Sequence, residues 1–289
     1  MKKPLIPHLF RTKRFYPVFL AHLTGALNDN MFRVTLIAVL SLRLTSFQTD
    51  TIAEFLAAVV ACPLLICSFL AGQFADKYNR DVLVRKIKLA ELIVICAAVL
   101  TAFLNIHSLL IVCLFLLGCA SAFFMPVKYA LLPQHLNTRD LIAANAYFEI
   151  ASGLSMALAT WLALTLPVSV SFVLLLLCAA GGYSISKYVP ESAGGRPDLQ
   201  IDKNFFSENR ASLRMVKKHP VLFRSILGSS WFTALATLLI IKLLPMCQTT
   251  INAKMSVYAF FLFMMAAGFG VGCFMSKRMT VSYTHLRAH

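Results

Sequence analysis

Eight apolar runs, at about residues 15–44, 52–74, 87–106, 109–132, 141–166, 168–189, 222–247 and 256–275, occupy most of this 289-residue chain. Each meets or exceeds the roughly 20 residues that a helix needs to cross a bilayer. Hydrocarbon offers no water to an exposed N–H or C=O, so such runs must satisfy their own backbone as helices. The expected fold is therefore an all-α integral membrane bundle. The first run is longer than a bilayer requires, which predicts tilt or a projecting end. Short links at 45–51 and 105–108 join neighbours, Pro133 is expected to end the fourth helix, and Pro167 marks the turn into the sixth.

Composition agrees. Charged residues make up 13% of the chain and hydrophobic ones 59%, against about 25% charged in soluble domains. The net charge of +15 would suggest nucleic acid as a partner in a soluble protein. Here the basic residues lie between apolar runs, so they report orientation and no nucleic acid is expected. All Lys and Arg residues fall on one alternating set of connections except Arg43, Lys242 and Lys254 on the other set and Arg33 within the first run. The positive-inside rule puts the N-terminus and the long polar connection at 190–221 in the cytoplasm. That connection divides the chain into a six-helix part, 1–189, and a second part, 222–279, with an amphipathic stretch around 205–216.

The eight cysteines sit within apolar runs without a Cys-x-x-Cys pair, so they read as small hydrophobes and no metal or cofactor is expected. The start, Met1-Lys2-Lys3, does not resemble a cleaved signal.

One stretch interrupts the apolar pattern: Gly25-Ala26-Leu27-Asn28-Asp29-Asn30-Met31-Phe32-Arg33. Ionisable groups at bilayer depth cost about 2.5–3.5 kcal/mol each on insertion scales, so Asp29 and Arg33 need a partner or a polar cavity. Four residues apart, they share a helix face. Either they neutralise one another, or they face a cavity where Asp29 attracts an ammonium and Arg33 a phosphate. Asn28 and Asn30 extend that face or bond neighbouring helices. Asn145 and Glu149, also four apart, either line the cavity or lie at a solvated end of the fifth helix. Lys128, after Pro126 and before Tyr129, reads as snorkelling to the interface, and Lys242 as snorkelling outward. Glu91 pairs with Lys88 or faces the interface. Trp161 and Trp231 read as packing or interface anchors.

The connection after the second helix, Gly72-Gln73-Phe74-Ala75-Asp76-Lys77-Tyr78-Asn79-Arg80, is expected to form a charged loop at 75–86, with Gly72 allowing close helix approach. Its spacing resembles the Gly-x-x-x-Asp-Arg/Lys-x-Gly-Arg-Arg/Lys signature of the major facilitator superfamily. Asn79 stands at the second glycine, where Asn tolerates a left-handed backbone, and Asp81 replaces the last basic residue. Gly272 through Ser276 and Lys277 echoes Gly72 through Asp76 and Lys77, as parallel transporter repeats would.

Residues 25–33, the stretch Pro126-Val127-Lys128-Tyr129-Ala130-Leu131-Leu132-Pro133-Gln134-His135-Leu136, and Ser225-Ile226-Leu227-Gly228-Ser229-Ser230-Trp231-Phe232 resemble the lysophospholipid transporter branch of that superfamily, as do Asn145, Ala146 and Glu149. Some members of the branch are fused to an acyltransferase and acyl-carrier-protein synthetase. The resemblance implies a major-facilitator-type helical bundle of twelve helices, of which about eight are present, in a bacterial inner membrane. It implies flipping of lysophospholipid, mainly lysophosphatidylethanolamine, with Gly72, Asp76, Lys77 and Arg80 gating the conformational change. A glycine-rich end to the fifth helix is missing. The tail at 280–289 is unlike the family, so we expect a truncated second half that would not support alternating access by itself.

The competing expectations are a proton-coupled transporter of small solutes or drugs, with Asp29 or Glu149 carrying the proton, and the membrane part of a fused acyltransferase. The chain holds no Gly-x-Ser-x-Gly elbow and no glycine-rich phosphate loop. An enzyme is therefore not expected within it. The expected partners are the lipid bilayer, a lysophospholipid or other small amphiphile, and a downstream acyltransferase.

Overall fold

The computed structural model describes residues 9–10, 12–41, 46–192, 195–201, 210, 213–247 and 251, and, further on, 257–258, 260–265, 267–268, 271–272 and 275. Among them there is no strand. Seven long helices follow in order: α1 (Tyr16–Ser41), α2 (Ser46–Lys77), α3 (Arg80–Phe103), α4 (His107–His135), α5 (Thr138–Thr165), α6 (Val168–Ser186) and α7 (Pro220–Pro245). The described residues between 257 and 275 are also helical. The tail at 280–289, residues 193–194, 202–209 and 211–212 of the 190–221 connection with most of its amphipathic stretch, Arg43, Lys254, and the Ser276 and Lys277 echo lie outside the described residues.

Three boundaries differ from the sequence expectation. The charged stretch 80–86 is not a loop: α3 starts at Arg80, and only Tyr78 and Asn79 separate it from α2. Asn79 caps α3 with an extended backbone (φ −60, ψ 122), not a left-handed one, and Asp81 in the first turn meets the positive end of the helix dipole. Charge marked a helix end projecting from the apolar zone, where polar residues are as helical as apolar ones. The left-handed turn lies instead at Asn105 (φ 57), in the α3–α4 link. Pro133 does not stop α4. The helix continues to His135, and the Leu136 N–H closes its last turn on the Leu132 carbonyl at 2.9 Å.

Packing makes two sets. α1 lies against α5 and α6, and α4 lies against α2 and α3, with α3 also contacting α6. The α2–α4 contact is close because Gly118 has no side chain: a Cβ there would come within 3.1 Å of Pro63 Cγ and 3.3 Å of the Val60 carbonyl. Gly72, expected to serve such a contact, has open space beside it, so close approach does not account for that glycine.

The apolar interior divides in two. One core gathers Phe15, Val18, Val84, Val127, Leu131 and Phe148 near the start of α1. The other gathers Phe32, Leu36, Ile95, Leu114, Ala159 and Leu175 toward its end. Between them, along α1, α3, α4 and α5 alike, comes a stretch that belongs to neither core. It carries His22, Asn28, Lys88, Glu91 and Ser155, with Ser121 close beside it on α4, just past Ala120 of the first core. A polar layer thus crosses the middle of the bundle. Around the outside, large apolar side chains such as Leu65 and Phe103 are exposed, as a lipid-facing wall requires. Five helices are long and apolar enough to span a membrane, α2, α4, α5, α6 and α7 in whole or part; α1 and α3, which carry much of the polar layer, are not among them.

Candidate functional site

The polar layer is built from residues that find partners both within their own helix and on neighbouring ones. On α3, Lys88 and Glu91 are 1% and 2% exposed. Lys88 Nζ donates to both carboxylate oxygens of Glu91, at 2.7 and 3.0 Å. This settles one open alternative: Glu91 pairs inside the bundle and does not face the interface. The pair fits because Gly25 on α1 lacks a side chain; a Cβ there would fall on the Lys88 ammonium. The Lys88 ammonium also lies 4.6 Å from the Phe124 ring centre.

That contact starts a column of cations and rings. Phe124 stacks on His22 (6.2 Å, 3° between planes), and His22 meets Phe148 edge-on at 5.0 Å. Lys128 Nζ lies 4.9 Å from the Phe148 centre and 4.6 Å from that of Tyr129. Lys128 does not snorkel: it is 1% exposed, and aromatic faces shelter its charge. His22 is pinned by the Phe148 carbonyl (3.2 Å) and Ser152 Oγ (2.9 Å). Pro126, half-buried one turn away, leaves α4 unbroken.

On α1 the polar residues point three ways. Asp29 accepts a hydrogen bond from Ser121 Oγ of α4, and its Oδ1 is shielded from solvent without a hydrogen-bond partner. Asn28 is turned away from Asp29. With its amide oriented to satisfy both neighbours, it donates to the Leu175 carbonyl (3.1 Å) and accepts from the Ala179 N–H (3.3 Å) of α6. It is a cross-link between helices and not a cavity residue, since a buried amide must find partners wherever the neighbouring backbone offers them. Asn30 donates to the Ala26 carbonyl at 2.8 Å and accepts from Arg33 Nη2 at 3.3 Å. Among the described residues the ion pairs are Asp81–Arg85, Lys88–Glu91 and Lys242–Glu54. The internal Asp29–Arg33 pair, one of the two alternatives, is therefore not formed; Ser121 and Asn30 hold the two side chains instead.

Beside this face opens an apolar cavity of about 550 Å³, lined by Leu23 and Leu27 of α1, by Leu154, Leu158 and Trp161 of α5, and by Phe263. Trp161 thus forms part of a cavity wall.

Asn145 and Glu149 do not join this group. Both are exposed on α5, and Glu149 accepts from the Tyr129 hydroxyl at 3.1 Å. Lys242 does not extend freely outward; it pairs with Glu54 of α2 at 3.3 Å, with both side chains exposed.

The α2–α3 connection carries a second arrangement. Gly72, Asp76 and Lys77 belong to α2, and Arg80 opens α3. Buried Arg80 donates Nε to the Ala75 carbonyl at 3.1 Å, closing the end of α2. Exposed Asp76 offers its backbone carbonyl to the Arg196 N–H at 2.8 Å. Asp81 and Ser192 bond reciprocally, Asp81 N–H to Ser192 Oγ at 3.1 Å and Ser192 N–H to Asp81 Oδ1 at 3.2 Å. The chain after α6 is thereby tied across the α2–α3 turn.

Sequence reasoning did not single out His22, Ser121, Ser152 or Ser155, and counted Lys88 with a loop. The available signal was a charge at each of 88 and 91 within an otherwise apolar run, beyond the last charges that a helix end would need.

No curated protein matches the chain. The family model described as Major Facilitator Superfamily matches residues 18–286, a span that takes in α1 from its third residue, α2–α7 whole, and part of the 280–289 tail. A helical bundle with a lipid-facing exterior and a buried polar layer is the architecture that a transporter of that kind needs. The chain belongs to the Major Facilitator Superfamily and is a multi-pass secondary membrane transporter.

Proposed function

We propose that the transported molecule is a single-chain amphiphile with a zwitterionic head, lysophosphatidylethanolamine being the first candidate, moved between leaflets of a bacterial inner membrane by alternating access. The observation that carries this reading is the pairing of surfaces along α1. Leu23 and Leu27 line an apolar cavity. On the same helical face, one turn further, comes Asn30, with Arg33 bonded to it. An acyl chain fits the first part. A phosphate suits the forked donors of Arg33, and an ammonium suits the unpartnered Asp29 oxygen. The cytoplasmic N-terminus expected from the charge distribution would put the apolar cavity on the cytoplasmic side of Arg33.

The test is flux of head-group-labelled lysophosphatidylethanolamine into proteoliposomes. Asp29→Asn and Arg33→Ala should each abolish it while membrane insertion is retained. Wild-type flux in either variant would overturn the assignment.

Proton-coupled transport of a small solute has its own support. Asp29 is a carboxylate with one oxygen shielded and unbonded, next to a layer that already holds the Lys88–Glu91 pair. Protonation would relieve the cost of its charge. A flux that collapses with the pH gradient and ignores lysophospholipid would favour this second reading.

A further inference from the structure

At the end of the bundle where α1 begins, a cavity of about 540 Å³ opens between Arg14, the end of α4 at Gln134 and His135, and the chain after α6 at Pro190, Glu191 and Ser192. Its charges are of both signs. Arg14 is exposed and makes no ion pair among the described residues. His135 lies on the opposite wall, and its Nε2 is shielded and without a hydrogen-bond partner. Glu191 is exposed on the third side. Other charges near this end include Lys13 beside Arg14, and the Asp81–Arg85 pair of α3, whose Arg85 Nη2 also reaches the Val189 carbonyl at 3.5 Å. The neighbouring residues on the same two segments form a second cavity, of about 290 Å³, walled by Phe10, Tyr16, Pro17 and Tyr188. Tyr16 and Tyr188 are exposed at 46% and 75%. Exposed tyrosines at the ends of spanning helices sit where a bilayer meets water.

We propose that these two cavities hold one bilayer phospholipid with a phosphoethanolamine head, bound at the rim of the bundle apart from any transported molecule. The phosphate sits on the Arg14 guanidinium, with the His135 imidazole on the opposite wall. The ammonium, with three N–H donors, meets Glu191. The tyrosine-walled cavity receives the start of the acyl chains. A purely anionic head would leave Glu191 opposed to it, and a choline head has no N–H to give Glu191. The assignment rests on neither reading of the transported substrate.

The full chain, purified and stripped of lipid, can be incubated with phosphatidylethanolamine, phosphatidylglycerol or phosphatidylcholine, and bound lipid counted by native mass spectrometry. The wild-type chain should retain phosphatidylethanolamine several-fold better than the other two. Arg14→Ala should reduce that retention about tenfold, the loss of one charge-assisted bond. Glu191→Gln should leave retention of phosphatidylglycerol intact and remove the preference for ethanolamine. Both side chains are exposed, so the variants are expected to melt with the wild-type chain. Retention of phosphatidylglycerol equal to that of phosphatidylethanolamine by the wild type, or indifference to Arg14→Ala, would overturn the proposal. Glycerophosphoethanolamine should compete weakly; competition equal to that of the diacyl lipid would overturn the bilayer as the source of the ligand.

Discussion

Lys88 and Glu91 form a bidentate ion pair, 2.7 and 3.0 Å, in the interior of the bundle, roofed by the bare backbone of Gly25. Neither partner has solvent to fall back on, and the Phe124 ring blocks one direction of escape for the ammonium. A lysine end is usually free to swing away from an added methyl group; here it is held from two sides.

Gly25→Ala should therefore destabilise the bundle. The new Cβ needs the space that the ammonium occupies, and moving Lys88 would stretch its bonds to Glu91. Overpacking of this kind costs about 1–3 kcal/mol. Thermal unfolding of the purified protein in detergent, followed by tryptophan fluorescence, would show a lowered Tm. An unchanged Tm would mean that the ammonium relocates without loss.

The pair itself should stabilise less than its geometry suggests. Lys88→Met leaves the Glu91 carboxylate buried and alone, and breaking such a pair costs about 3–5 kcal/mol. Replacing both, Lys88→Met with Glu91→Leu, removes the stranded charge and should recover most of that loss. Denaturant unfolding of the two single variants and the double one measures this. A double variant as unstable as the worse single one would show that other groups of the layer, Asp29 foremost, depend on the pair.

Much of the fold was legible in the sequence and little of this layer was. Long apolar runs with proline and short polar links fix the order of α1–α7, because hydrocarbon admits few alternatives. Residues 25–33 stood out for the same reason: charges there demand partners. The identity of those partners was not legible. Asp29 bonds Ser121 and Asn28 bonds α6, contacts set by how helices rotate against one another, which a single run does not encode. Lys88 and Glu91 were ambiguous for a local reason. Charges near the start of a helix look alike whether they face water or the interior, and the charged stretch 80–86 moved the apparent helix start to residue 87, close beside them. The α2–α3 turn misled similarly, since the family pattern has glycine where Asn79 takes an ordinary extended conformation.

The cysteines offer a direct check on α2–α4 packing. Cys67 Sγ and Cys119 Sγ are 3.9 Å apart and both thiols are free. A disulfide needs about 2.05 Å, a closure that modest side-chain movement supplies. Mild oxidation should link these two ahead of other pairs among the described cysteines. Tryptic cleavage at Lys77 or Arg80, between the two positions, followed by mass spectrometry without reduction, would identify the linked peptides. A product joining different helices would contradict the packing of α4 against α2.

The reciprocal bonds of Asp81 and Ser192 should govern how firmly the chain after α6 is held. Ser192 N–H points at the Asp81 carboxylate, and Asp81 N–H at the Ser192 hydroxyl. The Arg196 N–H is tied to the Asp76 carbonyl a few residues on. Asp81→Ala removes the acceptor of one bond and the salt-bridge partner of Arg85 together. Ser192→Ala removes the hydroxyl alone. Buried hydrogen bonds to a charged group stabilise by about 1.5–3 kcal/mol, so local opening should become at least about tenfold more frequent in Asp81→Ala. Hydrogen exchange at the amides of 189–196 reads that opening, and the smaller effect is expected for Ser192→Ala. Because Arg196 is bonded to a backbone carbonyl, its amide should stay partly protected in both variants. Uniform loss of protection through residue 196 would show that Asp81 holds the whole segment, and unchanged exchange would show that the Asp76–Arg196 bond suffices.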